Sequence, residues 1–125
     1  MSTRDFRPLL VWQKAHRLAL ESYAATARFP REELYGLTSQ IRRCAASIAA
    51  NIAEGCGKDG NPEFHRFLQI ASGSTTEREY HFPLAKDLAM LSSSEYQKSA
   101  GMVDELRRML AWSIRRVAPK PRTVG

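Results

Sequence analysis

An all-α fold, an up-down antiparallel four-helix bundle, is what the sequence predicts, and three observations predict it. Apolar residues recur with a helical period in four stretches, proline and glycine punctuate the joints between them, and no segment sustains the period-two alternation of a strand. Short connections between helices favour antiparallel neighbours.

The first stretch runs from about Leu9 to Arg28. Pro8 suits its first turn, and Pro30 ends it because proline disfavours helical geometry in the residue before it. On a helical plot Val11, Trp12, Ala15, Leu18, Ala19 and Tyr23 share one face, with Lys14, Arg17, Glu21 and Arg28 opposite. The second stretch begins at Thr38, a candidate N-cap, and reaches about Glu54, with Gly55 in the position that tolerates left-handed geometry. Ile41, Cys44, Ala45, Ile48 and Ile52 form one apolar face, and Ala46, Ala49, Ala50 and Ala53 form a small-residue face behind it. A helix apolar on both sides is normally covered on both sides, so a neighbour from this chain or another copy is expected there.

The third stretch opens at Asn61-Pro62-Glu63, an N-cap followed by proline and an acid in the first turn. Phe64, Phe67, Leu68, Ala71, Phe82, Ala85 and Ala89 form its stripe, interrupted by Ser74, Thr75 and Arg78. Pro83 should bend this helix without ending it. Ser92 to Glu95 matches a capping box and starts the fourth helix, whose stripe is Ser99, Met102, Val103, Leu106, Leu110, Ser113 and Val117. Residues 1–118 are thus expected to form one bundle and residues 119–125 a basic, proline-containing tail.

A chain of 125 residues, 43% apolar, suits a single core. No run of apolar residues approaches membrane-spanning length and the first residues, MSTRDFRP, lack a secretory signal's apolar core, so a cytoplasmic protein with no membrane contact is expected. Cys44 and Cys56 stand too far apart along one helix to form a disulfide. Cys44 reads as a small core residue, whereas Cys56, between Gly55 and Gly57, is expected to be more exposed.

The net charge of +6 is not spread evenly. Through Glu105 the acids and bases cancel; beyond it stand only Arg107, Arg108, Arg115, Arg116, Lys120 and Arg122. Such a cluster suits a polyanionic partner, although bases in a helix's last turn also offset its dipole. Trp112 falls on the polar side of the fourth helix with Arg108, Arg115 and Arg116 one turn away. An aromatic ring among guanidinium groups can stack on an unpaired base while the cations take phosphates. Packing against an adjacent subunit is the structural alternative for the same tryptophan. These seven residues are the candidate RNA- or DNA-binding site.

No catalytic machinery is legible, and no cofactor is implied. His16, His65 and His81 lack the spacing from which helices build metal sites. Gly55-Cys56-Gly57-Lys58 follows a helix instead of a strand and lacks the spacing of a phosphate loop. Ser47, Asn51 and Glu54 share a polar edge of the second helix and read as a structural hydrogen-bond network. Arg78, in line with the apolar stripe of the third helix, needs a carboxylate; Glu54 or an acid from another subunit could supply it.

The chain also resembles a known family: the four-helix-bundle proteins encoded within intervening sequences of bacterial 23S ribosomal RNA genes, and their relatives elsewhere. The resemblance spans roughly Phe6 to Val117. It rests on Val11-Trp12-Gln13-Lys14-Ala15, Phe29-Pro30, Leu37-Thr38-Ser39-Gln40-Ile41-Arg42-Arg43 and above all Asn51-Ile52-Ala53-Glu54-Gly55. Glu63-Phe64, Phe67-Leu68, Gly73-Ser74, Glu77 and Leu91-Ser92 add to it. The resemblance implies a ring-like homopentamer with no enzymatic activity and a role in binding nucleic acid; related bundles are partners of reverse transcriptases in retroelements. Ala49, Arg78 and Pro83 depart from the family's pattern, which has a proline, an apolar residue and an uninterrupted helix at these places.

Overall fold

Residues 5–119 are described by the structure, a computed structural model. Four helices carry the chain: α1 (Leu10–Thr26), α2 (Leu37–Cys56), α3 (Asn61–Asp87) and α4 (Ser93–Val117), with a single 3-10 turn, Arg31–Glu33, between α1 and α2. Each helix packs on its sequence neighbour and α4 closes on α1, while the backbones of the diagonal pairs stay apart. Short links and this square of contacts are those of an up-down antiparallel bundle.

Helix ends follow local chemistry, in places not where the sequence suggested. Thr38 is not the cap of α2: it is buried inside the helix, and the Glu33 carboxylate accepts from the Leu37 N–H at 3.0 Å instead. An acid from the preceding turn therefore supplies the cap. Gly55 does not end α2 either. The helix continues through Cys56, which is buried and not exposed, because the last turn packs against the start of α3. A Cβ on Gly55 would stand 2.6 Å from the Cβ of Phe67, so glycine is what lets the two backbones approach. At the start of α3, Gly60 holds φ at 82°, a left-handed value that glycine adopts without strain.

Within α3 the helix runs unbroken through Pro83, whose ring nitrogen offers no N–H to the preceding turn. Its end is a Schellman motif: Met90 N–H donates to the Ala85 carbonyl at 2.9 Å and Ala89 N–H to the Lys86 carbonyl at 2.9 Å. Ala89 is thus outside the helix and exposed, not part of its stripe, with φ at 62°. A Cβ is costly in that conformation. Ala89→Gly is expected to raise stability by about 1 kcal/mol in urea denaturation, and an unchanged or lower midpoint would contradict this strain. At the start of α4 the Ser92 and Glu95 capping box is formed in both directions.

The core comes in two apolar clusters. One joins Val11, Leu18, Ile48, Ile52, Phe64, Leu68, Val103, Leu106 and Leu110; the other joins Ala25, Phe29, Leu37, Ile41, Phe82, Ala85 and Leu91 at the opposite end. Between them lies a buried polar layer containing Ser22, Thr75, Arg78 and Ser99. Tyr23, assigned to the core face of the first helix, is instead exposed under the Arg42 guanidinium, and Ser22 takes the interior place. Of the small-residue face of α2, Ala49 is buried, Ala53 half-buried, and Ala46 and Ala50 exposed.

Candidate nucleic-acid interface

The C-terminal half of α4 carries every described residue of the candidate binding site. Its helical period turns Leu106 and Leu110 inward and leaves Arg107, Arg108, Trp112, Arg115 and Arg116 exposed. Lys120 and Arg122 lie outside the described residues. Trp112 is 56% exposed, with the Arg116 guanidinium 4.9 Å above its ring. Beside it a groove of about 450 Å³ opens between α1 and α4, lined by Leu10, Arg108, Met109, Trp112 and Ser113. Leu10 is 58% exposed there.

Not all of this basicity is uncompensated. Arg107 pairs with Glu79 of α3, and Arg108 with Asp104 one turn back at 2.7 Å. Arg115 and Arg116 have no carboxylate partner among the described residues. Exposed ion pairs are worth little, so Arg107 and Arg108 can exchange their acids for phosphates at small cost. Arg108, Arg115 and Arg116 share the side of α4 that carries Trp112, while Arg107 turns toward α3. Three guanidinium groups and the indole can therefore meet a single strand, the cations taking phosphates and the ring a base.

The proposed structural network of Ser47, Asn51, Glu54 and Arg78 is not one network. On α2 the Asn51 amide donates to the Ser47 carbonyl at 2.8 Å, and the Ser47 hydroxyl donates to Ser74 of α3 at 2.7 Å. Glu54 is exposed and takes no part. Arg78 turns away from this seam toward α1 and α4, fully buried. Its Nη2 donates to the Glu21 carboxylate and the Ser99 hydroxyl, and its Nε to the Ser22 hydroxyl, all at 2.8 Å. Its guanidinium also lies 3.3 Å from the centre of the Phe82 ring. Arg78 does pair with a carboxylate, but that acid is Glu21, which the helical plot had placed on the solvent face.

Burial raises the Glu21 carboxyl above its ordinary range, with Arg78 and Lys98 pulling it back. Burial likewise lowers Arg78 to about 10, opposed by Glu21. Cys44 is raised to about 11, chiefly by burial and then by Glu77, which keeps it an unreactive thiol. His16 stacks on Trp12, ring centres 4.9 Å apart. His81, given no role by the sequence, is buried with neither ring nitrogen within hydrogen-bond reach of a partner among the described residues; its Nε2 stands 3.9 Å from the Glu77 carboxylate. No group of three His, Cys, Asp or Glu residues that could hold a metal occurs among the described residues. No described helix is long and apolar enough to cross a membrane.

Compared with known proteins, the chain matches the 23S rRNA-intervening sequence protein family over residues 7–112. It is also similar to a crystal structure of a protein with unknown function from the S23 ribosomal protein family of Bacteroides thetaiotaomicron. The two align with a TM-score of 0.76 and 23% sequence identity, over 85% of this chain and 99% of that one. That likeness shows the fold. No curated protein matches the chain.

Proposed function

The chain belongs to the 23S rRNA-intervening sequence protein family, and from that premise we propose that it is a non-enzymatic, homo-oligomeric cytoplasmic bundle that binds nucleic acid through the basic end of α4. A pentamer is the assembly that the family resemblance implies. The observation that carries the binding reading is Trp112, more than half exposed, with Arg116 over its ring and with Arg115, one turn along, lacking a carboxylate partner among the described residues. Repeated around an oligomer, the same patch would track phosphates along a strand.

Each phosphate contact releases counterions, so binding should weaken steeply with salt. Arg115→Ala with Arg116→Ala is expected to lower the slope of log affinity against log salt by about 2 for single-stranded RNA or DNA, with the oligomer intact. Trp112→Ala should weaken binding about tenfold or more through lost stacking. No binding by the parent chain at low salt, or an unchanged slope in the double variant, would refute the proposal.

A second reading, a scaffold that engages a protein such as a reverse transcriptase, draws on the apolar groove formed by Leu10, Met109 and Trp112. Aromatic residues in such grooves are also typical protein contacts. Under this reading Trp112→Ala abolishes partner capture, and nucleic acid is not retained at any salt concentration.

A further inference from the structure

At the end of the bundle opposite Trp112, the turn joining α1 to α2 projects an acidic and apolar knob. Tyr35 is 94% exposed, Leu34 is 45% exposed, and Glu32 stands beside them with no cationic partner among the described residues. The knob is held in place. Glu33 N–H donates to the Pro30 carbonyl and Gly36 N–H to the Glu33 carbonyl, while the Glu33 side chain caps α2. A tyrosine so exposed on a braced turn is an unfilled contact in the single chain.

On the side of the bundle, α1 and α4 leave a groove of about 420 Å³ lined by Lys14, Arg17, Leu20, Glu21, Lys98, Met102 and Glu105. Its floor is apolar, with Leu20 59% exposed and Met102 half-buried. Both of its carboxylates are already engaged: Glu105 with Lys14 at 2.6 Å, and Glu21 with Arg78 at 2.8 Å. Arg17 and Lys98 make no ion pair with a described carboxylate. The groove therefore offers an apolar floor between unpaired cations, and the knob offers apolar side chains beside an unpaired acid. The Trp112 groove is a poorer match, because its lining carries a single cation, Arg108.

We propose that the Glu32, Leu34 and Tyr35 knob of one copy of this chain docks in the α1–α4 groove of the next, with Tyr35 on Leu20 and Met102 and with Glu32 between Arg17 and Lys98. This rests on the homo-oligomer reading and says which surfaces build it. Knob and groove are different surfaces, so the contact is heterologous: every copy uses both, and the assembly grows past a dimer into a ring or an open chain. The nucleic-acid patch on α4 stays outside the contact.

Two variants test it, with light scattering as the readout and circular dichroism as the check that each is folded. Glu32→Gln with Tyr35→Ala removes the knob; Arg17→Glu with Lys98→Ser spoils the groove. Each variant alone is expected to run at the mass of one chain, 14.1 kDa. Mixed in equal amounts they should form a dimer and nothing larger, because the mixture contains one intact groove on one variant and one intact knob on the other. Variants that stay oligomeric singly, or a mixture that stays monomeric, would overturn the docking while leaving the homo-oligomer in place. A parent chain at the mass of one protomer across micromolar concentrations would overturn the oligomer itself, and the docking with it.

Discussion

Glu21→Ala lowers the stability of the fold by about 3–5 kcal/mol, measured by urea denaturation at fixed protein concentration, because it leaves Arg78 buried with its charge uncompensated. The polar layer is costly even when complete. A carboxyl raised by burial contributes its stability below the ordinary glutamate range and loses it as pH rises through the folded value. A lowered arginine loses its contribution as pH falls through about 10. At neutral pH both groups therefore sit on the unfavourable side of their own titrations. Replacing the two together, Glu21→Leu with Arg78→Met, is accordingly expected to recover most of the loss. A double variant that recovers none of the stability lost in Glu21→Ala would show that the pair is a net source of stability.

Gly55→Ala is expected to cost about 1–3 kcal/mol, although alanine is intrinsically the better helix former by about 1 kcal/mol. The new methyl would meet the Phe67 Cβ at 2.6 Å and the Phe64 ring at 3.1 Å. A Cβ is fixed by its own backbone, so Phe67 cannot yield by changing rotamer, and α2 and α3 must separate. Gly73→Ala is the matched control, since nothing lies within 4 Å of its added carbon. That variant should gain stability from helix propensity alone. Equal effects at the two glycines would mean that the α2–α3 approach is looser than the structure shows.

The four helices were legible because their signals are local. The capping box at Ser92, the Pro62 start and the apolar periodicity each act within a turn or two of chain. The partner of Arg78 was not legible, because it depends on how α1 is rotated against α3. Helical plotting put Glu21 with Lys14, Arg17 and Arg28, and only packing shows that its carboxylate reaches inward. A hint was present in the pair Ser22 and Thr26, one turn apart beside Glu21, and in Ser99 within the stripe of α4. Hydroxyls at core positions call for a polar layer opposite them. The Gly55 assignment failed for a related reason: glycine ends helices by local geometry but also admits close neighbours, and sequence alone does not separate the two uses. The exposed basic face of α4 was legible from periodicity, whereas the ion pairs of Arg107 with Glu79 and Arg108 with Asp104 required the fold.

The layer around Arg78 also divides the molecule's cooperativity. Apolar packing does not run continuously from end to end; it is broken at Ser22, Arg78 and Ser99, with more of it on the Trp112 side than on the Tyr35 side. A unit that buries less apolar surface opens at a lower free energy than the whole. The end of the bundle that bears the α1–α2 turn is thus expected to show the weaker amide-exchange protection. Fluctuations there leave the α4 surface that carries the arginines undisturbed, so a neighbour could tighten one end of this protein without reshaping the other.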